Sequence, residues 1–176
     1  MQENANPKEN ESTSKTASKS KKDWQNAPCL DSVKNVNNIK ILSAVYSNAL
    51  MAKDTTEFIV KKVSNMELAD LLRKQVNKYE DFARNAQIQA NTFNCILKDE
   101  LKAARNMAKF NLNMKLMADN SITSVAKIII LGTTNGVIDL GRLLHHTNDI
   151  SEKVNSMIKD LLGYEESVVE SMKYYL

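Results

Sequence analysis

From Leu68 to Leu97 one series of side chains recurs at every third or fourth position: Leu68, Leu71, Leu72, Gln75, Tyr79, Phe82, Ala86, Ala90, Phe93 and Leu97. A strand repeats every two residues, so this rhythm predicts an amphipathic helix. No Gly or Pro interrupts it. The whole chain of 176 residues holds only 4 Gly and 2 Pro, which argues against the many turns of a sandwich or barrel. Leu101, Ala104 and Ala108 continue the same phase. Read literally, one helix would run over 66–118 and reach about 80 Å. The preceding helix covers about 45 Å, so half of that stripe would stay uncovered in a monomer. A break near 97–100 is therefore expected, with a shorter third helix after it; an extended dimer is the alternative.

The other segments follow the same logic. Ile39, Leu42, Tyr46, Ala49 and Leu50 open a first helix over about 33–63, resumed by Phe58, Ile59 and Val63 after a polar stretch at Lys53–Glu57. Ser64 and Glu67 form a capping-box pair at the start of the second helix. The loop is then very short, which makes the two helices antiparallel neighbours. The third helix carries Leu101, Ala104, Met107, Ala108, Phe110, Met114 and Met117 on its apolar face. Ser121 caps a fourth helix over about 122–145, with Ile122, Val125, Ile129, Gly132, Gly136, Leu140 and Leu143 on one face. Each glycine lowers helix propensity by about 1 kcal/mol, so Gly132 and Gly136 predict close approach of a neighbouring backbone or of a bulky side chain such as Tyr79. Asp149 and Glu152 suggest a second capping box and a last helix over 151–175, with Val154, Ile158, Leu161, Glu165, Val168 and Met172 facing inward. The fold class is all-α: an antiparallel up-and-down four-helix bundle with one extra short helix, spanning 31–176.

Residues 1–30 differ in kind. Up to Asp23 they lack Leu, Ile, Val and Phe, and they read as a disordered Ser/Lys/Asn-rich tail without a secretory h-region. Trp24 is expected to dock weakly on the domain. The most apolar stretch, Ile122 to Leu144, contains Lys127, Asn135, Asp139 and Arg142, so it suits a buried helix better than a membrane span. The default location is cytoplasmic, where Cys29 and Cys95 would remain thiols. Cys95, beside Phe93, Ile96 and Leu97, reads as a small core group. Net charge is +3, with a local +3 over 98–118 and a local −3 over 149–176. These read as complementary solvent faces; the basic stretch is too sparse for a nucleic-acid surface.

Chemistry-bearing patterns are few. A carboxylate di-metal bundle uses Glu-x-x-His on two helices, and the chain has no such motif. The weak metal candidates are Glu57, Glu80, Asp139 and Glu165. His145 and His146 are adjacent, so they point about 100° apart on a helix. They suit the C-terminal end of the fourth helix, where imidazolium interacts with the helix dipole. Gly132-Thr-Thr-Asn-Gly136 lacks the Lys of a phosphate loop and does not follow a strand. No catalytic constellation and no cofactor signature emerges.

Four segments carry a resemblance: Gln75 to Glu80, Gly132 to Asp139, the Leu143 to Asp149 turn, and the ending Met172 to Leu176. On these, residues 39–176 resemble a family of small, uncharacterised bacterial helical-bundle proteins with ferritin-like architecture, found mainly in low-GC Gram-positive bacteria. The resemblance implies the fold and a cytoplasmic location, and it brings no catalytic residues. The function class expected is a non-enzymatic structural or protein-interaction bundle, whose partner is a second copy or another protein, bound beside Met107, Phe110 and Met114. The alternatives are a small-ligand bundle with a cavity beside Gly132 and Gly136, near Tyr79, or a ferritin-like carboxylate metal-binding protein.

Overall fold

A computed structural model of the protein describes residues 33–99 and 101–176. The expected tail, with Trp24 and Cys29, lies outside the described residues. Five helices pack into an all-α bundle: α1 (Val33–Val60), α2 (Met66–Asn91), α3 (Lys102–Ala118), α4 (Ile122–His145) and α5 (Glu152–Lys173). α1 packs most extensively on α2, and α4 on α5, as short connections between neighbours require.

The core is divided into two apolar clusters. The first gathers Ile41, Leu42 and Val45 of α1, Tyr79, Ala83 and Ala86 of α2, Leu140 of α4, and Val154, Ile158 and Leu161 of α5. The second holds Ile59, Leu68, Leu72, Leu112, Leu116, Val125, Ile129, Val168 and Met172. α1 and α5 therefore run from the first cluster to the second, and α2 and α4 run back. α3 carries the chain to the second cluster again, so successive helices alternate in sense.

Local chemistry sets the helix ends. α2 is capped by Asn65, whose Oδ1 accepts from the Leu68 amide at 2.8 Å, and not by Ser64. α4 is capped by Ser121, as expected, with its Oγ accepting from the Ser124 amide at 3.2 Å. Ser151 rather than Asp149 caps α5; Asp149 instead sits in the left-handed region at φ 55°, which Asp tolerates. Asn38, buried near the start of α1, accepts from the Ser151 amide at 2.8 Å and fixes this turn against α1.

The break expected near 97–100, with a shorter third helix after it, is present, but it is longer: α2 ends at Asn91 and α3 begins at Lys102. The Thr92 hydroxyl donates to the Gln89 carbonyl, and Asn94 adopts φ 53°. Asn is among the few residues that enter this region readily. Gln87 then holds the outgoing segment, accepting from the Leu97 amide at 3.1 Å. The face of α3 is also different. Leu112, Leu116 and Arg105 are buried, whereas Met107, Phe110 and Met114 are exposed by 68%, 66% and 59%. A break that is not a helical continuation carries no phase across it, so the stripe extrapolated from α2 has no claim on α3. Arg105 instead pins α3 down. Its Nη atoms pair bidentately with Asp99, and its Nε donates to Asp54 of α1 at 3.1 Å. The Arg105 guanidinium holds the Asp99 carboxyl below its usual range.

α4 is less buried than its composition suggested. Among the described residues it is the helix long and apolar enough to cross a membrane by length and composition. Val125, Ala126, Ile129 and Leu140 are buried, while Leu131 and Ile138 on its other side are exposed.

Cys95 is buried as expected, but it is disulfide-bonded and not a thiol. Protein purified without reductant should therefore leave Cys95 unlabelled by iodoacetamide, and denaturation with reductant should make it label. Peptide mass analysis reads both states; labelling of Cys95 before reduction would contradict the assignment.

Candidate functional site

Between the two apolar clusters each long helix turns a polar or small residue inward. The 3–4 rhythm of α1 passes through Leu42, Val45, Ala49, Ala52, Thr56 and Ile59, and puts Thr56 at this level. On α2 the level falls at Gln75, with Tyr79 one turn further on. On α4 it falls at Thr133 and Gly136, and on α5 at Glu165. Gln75, Tyr79 and Glu165 are only 3%, 1% and 1% exposed.

These residues edge a cleft of about 530 Å³ that separates α1 from α4. Its walls are apolar, with Met51 and Ala52 on one side and Ile128, Ile129, Leu140 and Leu143 on the other. At Gly136 the cleft wall is packed closely by neighbouring side chains. A Cβ placed there would lie 2.7 Å from Asn48 Nδ2 and 3.1 and 3.2 Å from the two Glu165 carboxyl oxygens. Gly132 lines the same cleft but has no atom close to its own Cβ position. The close approach expected at both glycines thus occurs at one, and it involves side-chain ends rather than a helix backbone.

Three buried oxygens at this level make no hydrogen bond: Gln75 Oε1, Tyr79 Oη and Glu165 Oε2. Orphaned buried polar atoms typically cost about 1–3 kcal/mol each, so three in one layer is an unusual concentration. The Thr133 hydroxyl slightly favours the ionised phenol of Tyr79 but forms no well-aligned hydrogen bond with it. Tyr79 is held by ring packing instead, edge-on to Tyr164 with centroids 5.3 Å apart.

Burial governs the protonation states. It pushes the Glu165 carboxyl up to about 8, so the group keeps its proton at neutral pH. It pushes the Tyr79 phenol far above its ordinary value, and the nearby Glu165 carboxylate adds to that when ionised. Tyr164 is raised to about 12 by burial. At neutral pH the layer is therefore uncharged. Among the described residues lining the cleft none is Lys, Arg or His, and Asp139 is exposed there.

The other candidates stand apart from this layer. Glu57 is exposed and pairs with Lys61 at 3.3 Å, and Glu80 is exposed and pairs with Lys53 at 3.4 Å. Of the four weak metal candidates only Glu165 is buried, and no group of three or more His, Cys, Asp or Glu among the described residues could hold a metal ion. His145 and His146 are exposed at the end of α4, with their rings edge-on at 5.2 Å. Met107, Phe110 and Met114 lie on α3, outside the cleft. Sequence reading passed over Thr56, Asn48 and Thr133. The signal for Thr56 was present in the α1 phase but masked by the polar run Lys53–Glu57.

The shift at Glu165 has a signed consequence. From its ordinary 4.5 to about 8 the unfolded chain releases this proton while the folded chain keeps it. The contribution is thus full below pH 4.5, falls as pH rises through this window, and levels off above it, with a slope of up to about 1.4 kcal/mol per pH unit. Glu165→Gln should remove that fall and leave the variant more stable than the parent at pH 9. Urea unfolding from pH 5 to 9 reads the difference; parallel curves for the two proteins would contradict the buried, protonated carboxyl.

No family model matches the chain, and neither curated proteins nor solved structures give a match to it.

Proposed function

We propose that this protein is a non-enzymatic binding bundle that holds a small, largely apolar molecule in the cleft between α1 and α4. The observation that carries the reading is the set of three unpaired buried oxygens at the edge of an apolar cleft large enough for a small ligand. Apolar walls with a few convergent polar groups are the usual make-up of ligand sites. Four long helices around a mid-level polar layer, with α3 as the long crossover, also suit a ferritin-like arrangement. The metal chemistry of that architecture is not part of the proposal, because the described residues hold no group of three or more His, Cys, Asp or Glu that could bind a metal ion. For location, the disulfide at Cys95 favours oxidising surroundings over the cytoplasm.

Filling the cleft tests the reading. Gly132→Leu adds a side chain at a lining position with no atom within 4 Å of its Cβ, and should keep the helical circular dichroism. In a thermal-shift screen of apolar fragments of about six to ten heavy atoms, several should raise the melting temperature of the parent by about 2 °C or more. They should do so far less for the variant. A screen without hits, or hits that act equally on both proteins, would overturn it.

A second reading, docking of a protein partner or a second copy on α3, draws on the exposure of Met107, Phe110 and Met114 along one side of that helix. Contiguous exposed apolar side chains mark interaction surfaces. If a second copy binds there, light scattering should give a dimer at about 50 μM, and Met107→Ser with Phe110→Ser should return it to a monomer. Parent and double variant of equal mass would remove the self-association form.

A further inference from the structure

Resting on the α3 docking reading, we infer that what docks there is a second copy of this chain, packed α3 against α3 in antiparallel sense about a two-fold axis level with Leu112. The helix has two contact faces. Arg105, Leu112 and Leu116 are buried against the bundle, while Met107, Phe110, Met114 and Met117 lie on the opposite side, exposed by 59% to 78%. A surface helix with one neighbour needs one apolar stripe; α3 carries two, back to back.

The outer stripe suits its own copy. Its steps are three, four and three residues, the seam spacing of a two-stranded coil. That series reads the same in both directions. An antiparallel copy therefore sets Met107 of one chain against Met117 of the other, and Phe110 against Met114, and each contact occurs twice, as a closed two-fold pair requires. The flanks are neutral: Ala104, Asn111 and Ala118 on one edge, Asn106 and Asn113 on the other. The charges of α3, on Lys102, Arg105, Lys109 and Lys115, fall on the bundle-facing half, where Asp54 receives Arg105 Nε and Lys109 Nζ at 3.1 Å each. A second copy thus meets no like charge at the seam. An amide both donates and accepts, so Asn111 can pair with Asn111 of the other chain, which the two-fold brings to the same edge. A membrane surface would call for basic flanks, which this stripe lacks. The four side chains expose roughly 500 Å² per chain, so pairing removes about 1,000 Å², the lower end for a specific interface, and a micromolar dimer is expected.

The experiment is sedimentation equilibrium of the full chain from about 5 to 500 μM, over which the parent should pass from monomer to dimer. Asn111 is exposed, so Asn111→Lys should keep the helical circular dichroism, and it should raise the dissociation constant at least about tenfold. An equimolar mixture with Asn111→Glu should restore pairing to within about threefold of the parent. In a parallel pair the two copies of residue 111 lie on opposite edges, and neither effect would appear. A dimer abolished by Met107→Ser with Phe110→Ser but indifferent to Asn111→Lys would overturn the antiparallel pair and leave α3 as the docking face. A dimer indifferent to both changes would overturn the inference and the α3 reading together. A parent that stays monomeric throughout would overturn the second copy as occupant, and its binding to phosphatidylglycerol vesicles would assign the stripe to a membrane instead.

Discussion

The structure depends on a layer of polar side chains that divides one hydrophobic core into two. Thr56, Gln75, Thr133 and Glu165 occur at the same level on the four long helices, with apolar residues above and below on every one. Burial of apolar area at both ends drives the helices together, and the layer cannot escape without dragging those ends out of contact. The price is a set of polar atoms denied water. Each lies one or two turns from fully buried residues such as Leu72, Ile59, Leu161 and Val168, which hold it in place.

The cleft follows from that layer. α2 and α5 bring Tyr79, Tyr164 and Phe82 together by ring packing, which fills their side of the bundle. On the side of α1 and α4 the corresponding positions are Asn48, Thr133 and Gly136, which are short. The volume they leave is the cleft. Gly132 borders this volume, with no atom within 4 Å of its Cβ position, while at Gly136 even one added carbon would meet Asn48 and Glu165. α3 does not fill the space. Its anchors, Arg105 to Asp99 and Asp54, hold it beside α1, and Leu101 at its beginning reaches the edge of the cleft.

Helix identity was legible in the sequence because the 3–4 rhythm is a direct image of burial. Leu68, Leu72, Gln75, Tyr79, Ala86 and Ala90 are all buried, as their spacing requires. Glu165 stood on the inward face of α5 in the sequence as well. What failed was inference across breaks. Phe93 and Leu97 keep the phase of α2 although Asn94 has already left the helix, so the apparent stripe on α3 was an accident of spacing. Caps were misplaced by one or two residues where two candidate residues stood close together, Ser64 with Asn65 and Asp149 with Ser151. Convergence of Gln75, Tyr79 and Glu165 was not legible, since it depends on the registration of α2 against α5, which no single-helix pattern encodes. The disulfide at Cys95 was likewise invisible, because a cysteine's sequence neighbours do not reveal its oxidation state.

The central claim is that a glutamic acid lies protonated and unpaired in the middle of this bundle. Carbon-13 NMR of the Glu side-chain carboxyls, with Glu165 assigned through Glu165→Gln, measures that state directly. The account predicts a titration midpoint for Glu165 near 8, well separated from the other glutamates. A midpoint near its ordinary 4.5 would show that water reaches the carboxyl freely, and the polar layer as described here would not exist.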